Sequence, residues 1–599
     1  MYKEVDFGPT ITYKKKLANG VVHYGNKEAL QPFPKKLTDK LSYWAQHTPN
    51  QVFLGAKENN KWKTLNYKEV WEQTNAVASY LLKLNFTRED SIVILSENSL
   101  EHAILALAAL HLGIVYSPIS PAYSSVSHDL SKLKHCIKLM TPKLVFAQNG
   151  NTYKNALEQT KLLFPEAEIV TVTGETGTKY SELLNTEKNF ELVSKNAEKV
   201  TESTVAKILF TSGSTGLPKG VMNHQEMLCA NLQQISQAFP FLQKQPPILI
   251  DWLTWSHTFG GNHNFGMVLY HGGSLYIDNG KPNALGIQET IQNIKKISPT
   301  VYFNVPKGFE MLISYLEKDV QLGQNFFKNL QMIFNAGATL SQPIWDKLEE
   351  LSIATIGFKV PIISGFGCTE SAPATMFANW HGGFSGLLGI PVSGLDIKLV
   401  PDGDKIQACY KAPNITKGYY RNSEATQIAF DEEGYYVTGD AVKFLVENEP
   451  NKGLVFDGRI AEDFKLSTGT WVNVGAIKAK VLKTGAPLIQ DVVLTGLDKD
   501  YIAAILFLNK DSALALTNLS KEASYSNIMK EPEVSNQIDK WQVEFNRSAT
   551  GSSTSIKMYV IATEEPSKEL NEITDKGSIN QRVVLGNRKN LVASLYNNK

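Results

Sequence analysis

The chain predicts an α/β fold: a large N-terminal domain of parallel-rich sheets covered by helices, followed by a small α+β C-terminal domain. Three observations lead there. Apolar runs at KLVFA, EIVTV, AKILF, PILI, SLYID, TVYFNV, QMIFNA and PIISGF are separated by stretches of helical spacing, and strands alternating with helices build parallel sheets covered on both faces. Past residue 460 the pattern changes to a hairpin, a helix, two strands close together and a long polar helical region. At 599 residues the chain is also too long for one ordinary domain.

Taken in order, residues 1–36 are polar and irregular, end in PFPKK, and are expected to wrap the first domain. From Leu37 onward LTDKLSYWAQ and YKEVWEQTNAVASYLLKL have helical spacing, and SIVILS is a short β run. The most hydrophobic stretch, Ala103 to Ile119, contains His111 and Pro118 and falls short of a bilayer span of ~20 residues. It is expected to be a buried helix running into a strand. Sixty basic and 59 acidic residues leave a net charge of +1, so bulk charge steers the chain neither to nucleic acid nor to an anionic membrane. An anion site must therefore be local. The four cysteines, Cys136, Cys229, Cys368 and Cys409, show no paired or metal-ligand spacing, which suits reduced thiols in a cytoplasmic protein. The N-terminus, MYKEVDFGPTITYKKK, lacks the apolar segment of a secretory signal. A soluble protein is expected.

The stretch Ile208 to Val221, ILFTSGSTGLPKGV, supplies the local anion site. Ile208, Leu209 and Phe210 read as a buried strand, and a helix is expected from about Gln225. Between them, Gly213 and Gly216 let backbone N–H groups approach a polyphosphate. Thr211, Ser212, Ser214 and Thr215 add hydroxyl donors, and Lys219 adds a point charge. A Gly/Ser run is more often a flexible surface loop, but a linker needs no buried strand before it and no Pro-Lys-Gly after it. A GxxxxGK[ST] phosphate loop is excluded, because Pro218 precedes Lys219 and Gly220 follows it. A nucleophile elbow is excluded because Ser212 stands where its first glycine belongs.

Downstream, DWLTWSHTFGGNHNFG carries Trp255, His257 and Phe259 just after a strand. A histidine in such a setting is usually a packed, hydrogen-bonded residue. His263 stands six residues beyond His257, but no Cys or carboxylate cluster joins the two, so a metal pair is rejected. In QMIFNAGATL, Gly337 and Ala338 are small enough for a flat ring to lie on the backbone, with plain close packing the equal alternative. SGFGCTESAPA presents Phe366, Gly367, Thr369 and Glu370: an aromatic face, a hydroxyl, and a carboxylate suited to the hard cation Mg²⁺. YYVTGD and VFDGRI add a carboxylate, Asp440, and a guanidinium, Arg459; a turn-capping aspartate is the plainer reading of the first.

These motifs together resemble the adenylate-forming acyl-CoA synthetases, the AMP-binding enzymes, over about Phe33 to Tyr596. Within them the chain is most similar to feruloyl-CoA synthases, through PISPAYSSVS, SHTFGGNHNFGMVLYHGGSLYID, TVYFNVPKGF, VFDGRIAEDFKLSTGTWVNVGA and EITDKGSINQR. The resemblance implies a ligase that uses ATP, Mg²⁺ and CoA to convert a carboxylic acid, a hydroxycinnamate such as ferulate, first to acyl-AMP and then to a thioester. A medium- or long-chain fatty acid, or loading of an acyl carrier protein, are the alternatives. The resemblance also implies residue roles. Thr211 to Gly216 and Lys219 hold the phosphates; Gly337, Ala338, Phe366 and Gly367 face adenine. Thr369 turns to the α-phosphate, Glu370 to Mg²⁺, and Asp440 and Arg459 to the ribose. His257, Phe259 and Gly337 wall the acyl pocket. Residues 1–460 are then the adenylate-forming domain and 461–599 a mobile lid carrying the catalytic Lys576. Two departures stand out: Ala461 replaces the usual hinge Asp or Lys, and Val474-Gly475-Ala476 replaces the usual Pro-x-Glu.

Overall fold

The computed structural model describes residues 1–597 except 127–128, 212–216, 568, 571 and 574–578. The chain forms two compact units. One comprises Met1–Leu399, Cys409–Val437 and Phe444–Val455; the other comprises Val400–Ala408, Thr438–Lys443 and Phe456–Lys599.

In the first unit, a seven-stranded sheet has the spatial order Lys219–His224, Val205–Thr211, Val115–Pro118, Ser91–Leu95, Leu144–Asn149, Glu168–Thr173, Thr178–Lys179. All its neighbours are parallel except the first pair, which is antiparallel. Ser91–Leu95 is buried at every position, as a central strand covered on both faces must be. The helix Leu100–Leu112 is likewise buried all round, closes on Gly113 at φ 73° and leads into Val115–Pro118, as its unbroken apolar run predicts. A second sheet holds Ile248–Asp251, Ser274–Ile277 and Val52–Glu58 in parallel, with Lys61–Asn66 antiparallel at the edge.

A third group of strands positions the site. Val301–Asn304, Met332–Asn335 and Ile362–Gly367 run parallel with their ends in register, Asn304 beside Asn335 and Asn335 beside Ser364. Ala374–Phe377 and Leu387–Pro391 then continue antiparallel, so the predicted parallel sheets give way to antiparallel pairing in the C-terminal part of this unit. The N-terminal segment is also more regular than its composition suggests. Thr12–Lys16 and Val22–Asn26 form a hairpin, and the latter pairs with Asp396–Leu399. Lysine-rich TYKKK reads as a polar coil, yet an edge strand tolerates such residues. Tyr24 is fully buried, and Lys14 lies 3.9 Å from the ring centre of Phe444.

The second unit contains the predicted hairpin, Phe464–Lys465 with Trp471–Val472, and the helix Val474–Gly485. Its three-stranded sheet sets Ile502–Leu508 antiparallel to Ile489–Thr495 and parallel to Ile556–Ile561. Both faces are covered, as strand alternation requires. Val492, Leu494 and Leu506 pack with Ile538, Trp541 and Phe545 of the helix Pro532–Arg547, whereas Val493, Ile505 and Phe507 pack with Val584 and Leu595. All four cysteines are free thiols. Among the described residues no helix is long and apolar enough to cross a membrane.

Candidate active site

The glycine-rich stretch is the connection of a β-hairpin. Val205–Thr211 pairs antiparallel with Lys219–His224, with Thr211 opposite Lys219 and Phe210 opposite Gly220. The helix Gln225–Ala238 follows directly. The second strand carries no sequence signal of its own, because KGVMNH lacks strict alternation. Ser212, Gly213, Ser214, Thr215 and Gly216 lie outside the described residues. Gly220 is required by packing, since a Cβ there would stand 2.7 Å from the Ile208 side chain.

Lys219 and Glu370 are brought together through a residue the motifs did not single out. The Lys219 ammonium lies 5.1 Å from the ring centre of Tyr419, and the Tyr419 hydroxyl donates to Glu370 Oε1 at 3.0 Å. Three backbone links fix this arrangement: Thr416 N–H to Glu370 O (2.8 Å), Met222 N–H to Gly418 O (3.1 Å) and Tyr420 N–H to Gly220 O (2.7 Å). Burial, followed by the Glu370 charge, pushes both the Tyr419 and the Tyr436 phenols up, so both hydroxyls keep their protons. No local spacing reveals these tyrosines, because each lies far along the chain from Glu370.

Glu370 itself is only 8% exposed, contrary to the solvated carboxylate that a loop position suggests. It sits in a single 3₁₀ turn, Thr369–Ser371, after the strand Ile362–Gly367. The turn is closed by Cys368 N–H to Ser371 Oγ (3.0 Å), and Asn414 Nδ2 donates to Ser371 O (2.8 Å). Gly367 admits no side chain, because its Cβ would meet the Pro373 carbonyl oxygen at 1.7 Å. Phe366 is half-buried on the same strand. Beside it, Gly337 (φ 87°) and Ala338 are exposed just beyond Met332–Asn335, and Asn335 Nδ2 holds Ala338 O at 2.9 Å. The left-handed backbone at Gly337 is one that a side chain would strain.

His257 is half-buried and precedes one stretch of π-helix, Phe259–Asn264, that runs into the α-helix Phe265–His271. Such π segments are rare and concentrate at functional sites. The glycine pair permits it: a Cβ on Gly260 would stand 2.3 Å from Leu253 O, and one on Gly261 2.3 Å from Trp255 O. Two buried side chains tie this segment to the hairpin. Lys207 Nζ donates to Gly261 O at 3.0 Å, and Asn262 Nδ2 donates to Asn223 Oδ1 at 2.8 Å. Burial pushes the Lys207 amine down to about 7. Phe259 packs 6.2 Å from Phe303 and 6.0 Å from Phe334, centre to centre.

In the second unit, Arg459 Nε lies 3.1 Å from Asp440 Oδ1. Asp440 is buried and its N–H donates to Thr438 Oγ1 at 2.9 Å. The two candidate ribose residues therefore engage each other, which orients the carboxylate. Ala461 falls in the short turn Ile460–Glu462. Lys576 lies outside the described residues.

A magnesium ion is compatible with Glu370. Among the described residues no group of three or more His, Cys, Asp or Glu side chains forms a metal cage. Mg²⁺, however, commonly takes one or two carboxylates and completes its shell with water and substrate phosphates. Glu370, with one oxygen engaged by Tyr419, suits that role.

Residues 41–420 match the profile of the AMP-binding enzymes; this is more than half of the chain, which therefore belongs to the AMP-binding enzyme family. Its relatives span several acids. The chain is similar to 4-coumarate–CoA ligase-like 2 of Arabidopsis thaliana, 26% identical over 448 residues that cover 70% of this chain and 73% of that protein. It is also similar to fatty acyl-CoA synthetase A of Dictyostelium discoideum, 24% identical over 504 residues, 74% and 72% of the two chains. Among solved structures, an anthranilate CoA ligase in complex with anthranoyl-AMP has the same fold, with a TM-score of 0.70 at 18% identity over 94% of this chain and 99% of that one.

Proposed function

We propose that this enzyme, an AMP-forming acid–CoA ligase, activates a hydroxycinnamate such as ferulate and transfers it to CoA. The observation that carries the substrate reading is the wall of rings behind the strand ends. Phe303 and Phe334 pack 5.0 Å apart beside Phe259, and Gly337 leaves an open backbone surface nearby. Stacking on such rings contributes on the order of 0.5–1.5 kcal/mol beyond area burial. Similarity to a 4-coumarate–CoA ligase-like protein supports the same reading. Similarity to a fatty acyl-CoA synthetase supports a second one, a medium- or long-chain fatty acid in the same pocket.

A carboxylate is a poor electrophile, so the reaction runs in two displacements. The acid's carboxylate oxygen attacks the α-phosphorus of ATP and pyrophosphate leaves, giving acyl-AMP. The CoA sulfur then attacks the acyl carbon and AMP leaves. Thr211, the loop residues 212–216 and Lys219 receive the terminal phosphates, and the Lys219 ammonium faces the charge that departs with pyrophosphate. Thr369 turns its hydroxyl to the α-phosphate. Glu370 would hold a magnesium ion together with the nucleotide's phosphates, and the ion would supply positive charge there. Phe366, Gly367 and the backbone at Gly337 and Ala338 take adenine, while the Asp440–Arg459 pair takes the ribose hydroxyls. His257 and Phe259 wall the acid. The domain 461–599 contributes Lys576, whose ammonium meets the attacking carboxylate and the α-phosphate.

The test is a CoA- and ATP-dependent turnover screen of ferulate, p-coumarate, benzoate and palmitate. The hydroxycinnamates are expected to give the highest kcat/KM. A palmitate value tenfold above them replaces this reading with the fatty-acid one.

A further inference from the structure

The aromatic wall contains a histidine that the two displacements do not use. His263 is 2% exposed on the π segment Phe259–Asn264. Its ring centre lies 5.6 Å from Phe259, 5.1 Å from Phe303, 5.2 Å from Phe334 and 6.5 Å from Phe377. A box of rings solvates a polar atom poorly, so a nitrogen left there without a bond is costly. Yet no described residue is hydrogen-bonded to Nε2.

The other nitrogen is firmly held. His263 Nδ1 lies 2.9 Å from Asn264 Oδ1, Asn264 Nδ2 donates to Asp251 Oδ2 at 2.9 Å, and Asp251 Oδ1 accepts from the Leu253 N–H at 3.1 Å. An ionised carboxylate only accepts, so the Asn264 amide must turn its NH₂ toward Asp251 and its oxygen toward His263. That oxygen demands a proton on Nδ1. The relay therefore fixes one tautomer and leaves a lone pair on Nε2, directed into the aromatic box. Burial pushes the imidazole down to about 4, keeping the ring neutral, and pushes Asp251 up to about 7, so the relay holds this polarity above that pH.

Resting on the hydroxycinnamate reading, we propose that His263 Nε2 accepts a hydrogen bond from the phenolic hydroxyl at the far end of the bound acid, and so selects hydroxylated over bare aromatic acids. The rings hold the flat body of the acid, and the relay presents one acceptor to its polar tip. A site built to hydrogen-bond a substrate hydroxyl rejects the analogue lacking it far more strongly than a hydrophobic pocket rejects a lost methylene.

4-Hydroxycinnamate and cinnamate differ only in this hydroxyl. Their kcat/KM ratio is to be measured at pH 8, with Asp251 ionised, for the wild type, His263→Phe and His263→Gln, with melting curves as folding controls. The wild type is expected to prefer the hydroxylated acid by about tenfold or more. His263→Phe is expected to bring the ratio close to one, and His263→Gln, whose amide oxygen is also an acceptor, to keep part of the preference. A wild-type ratio within about twofold of one overturns the inference without any variant, so a misfolded His263→Phe does not shield it. A preference that is equal in the wild type and His263→Gln and survives His263→Phe also overturns it, while the aromatic-acid reading stands. Palmitate leading both cinnamates by tenfold overturns the two together.

Discussion

The hairpin end of the first unit and its π-helical end solve opposite problems. At the hairpin, Thr211 pairs with Lys219 and Phe210 with Gly220, on either side of a sequence rich in glycine and hydroxyl residues. At the π segment, Phe259, His263, Phe303 and Phe334 face inward and are nearly closed to solvent. On the proposed reading, phosphate recognition depends on backbone N–H groups and one cation, which a contiguous loop can supply. Acid recognition depends on volume and shape, which must be collected from strands and helices far apart in the chain. The first end is expected to fail sharply when a single charge is removed. The second is expected to change which acid it takes before it loses the ability to react.

The largest effects therefore belong to the charged residues assigned to the reacting phosphates. Glu370→Gln keeps the side chain's size and removes its charge. Acid-dependent ATP–pyrophosphate exchange should fall by ~10² or more, with an unchanged melting curve; exchange near the wild-type level would reduce Glu370 to a structural residue of its turn. Lys576→Ala should lower the same exchange by ~10² or more, yet convert supplied feruloyl-adenylate and CoA at close to the wild-type rate. Equal loss in both half-reactions would contradict that assignment.

A smaller effect sharpens the contrast. Tyr419→Phe removes the 3.0 Å hydrogen bond to Glu370 and leaves the ring beneath Lys219 in place. A hydrogen bond to a charged group contributes about 1.5–3 kcal/mol, so exchange should fall about ten- to a hundredfold, with the preference between acids unaltered. A change in acid preference would mean that the two ends are coupled.

A last effect, on stability and not on rate, concerns the strut between the two ends. The Lys207 amine is depressed from 10.5 to about 7 in the fold. Between those values the unfolded chain binds a proton that the folded chain does not, so acidification across this window favours unfolding. Relative to Lys207→Met, the wild type should therefore gain stability from pH 7 to 10, by at most about 1.4 kcal/mol per pH unit. Melting curves of the two proteins with a constant difference across that range would show that Lys207 is protonated in the fold throughout.

The same contrast explains what was legible in the sequence. Runs such as QMIFNA and PIISGF are strands because apolar residues buried on both faces leave little else for them to be, and the site motifs follow their carboxyl ends. The hairpin form of the glycine-rich loop was not legible, because KGVMNH takes its strand conformation from pairing with Val205–Thr211 and not from its own pattern. Nor was Tyr419, whose contact with Glu370 crosses 49 positions of sequence. His263 was visible only as half of a rejected metal pair. Its tautomer depends on Asp251, twelve residues earlier, and its surroundings on Phe303 and Phe334 from two further strands. Local chemistry reads from local sequence; shape does not.

The most direct test of the account is ATP–pyrophosphate exchange by the wild type with ferulate and Mg²⁺ but no CoA. An acid first converted to acyl-AMP supports exchange that requires the acid and does not require the thiol, and AMP appears only once CoA is added. Exchange that is absent without CoA, or nucleotide released as ADP and phosphate, would contradict the two-step ligase.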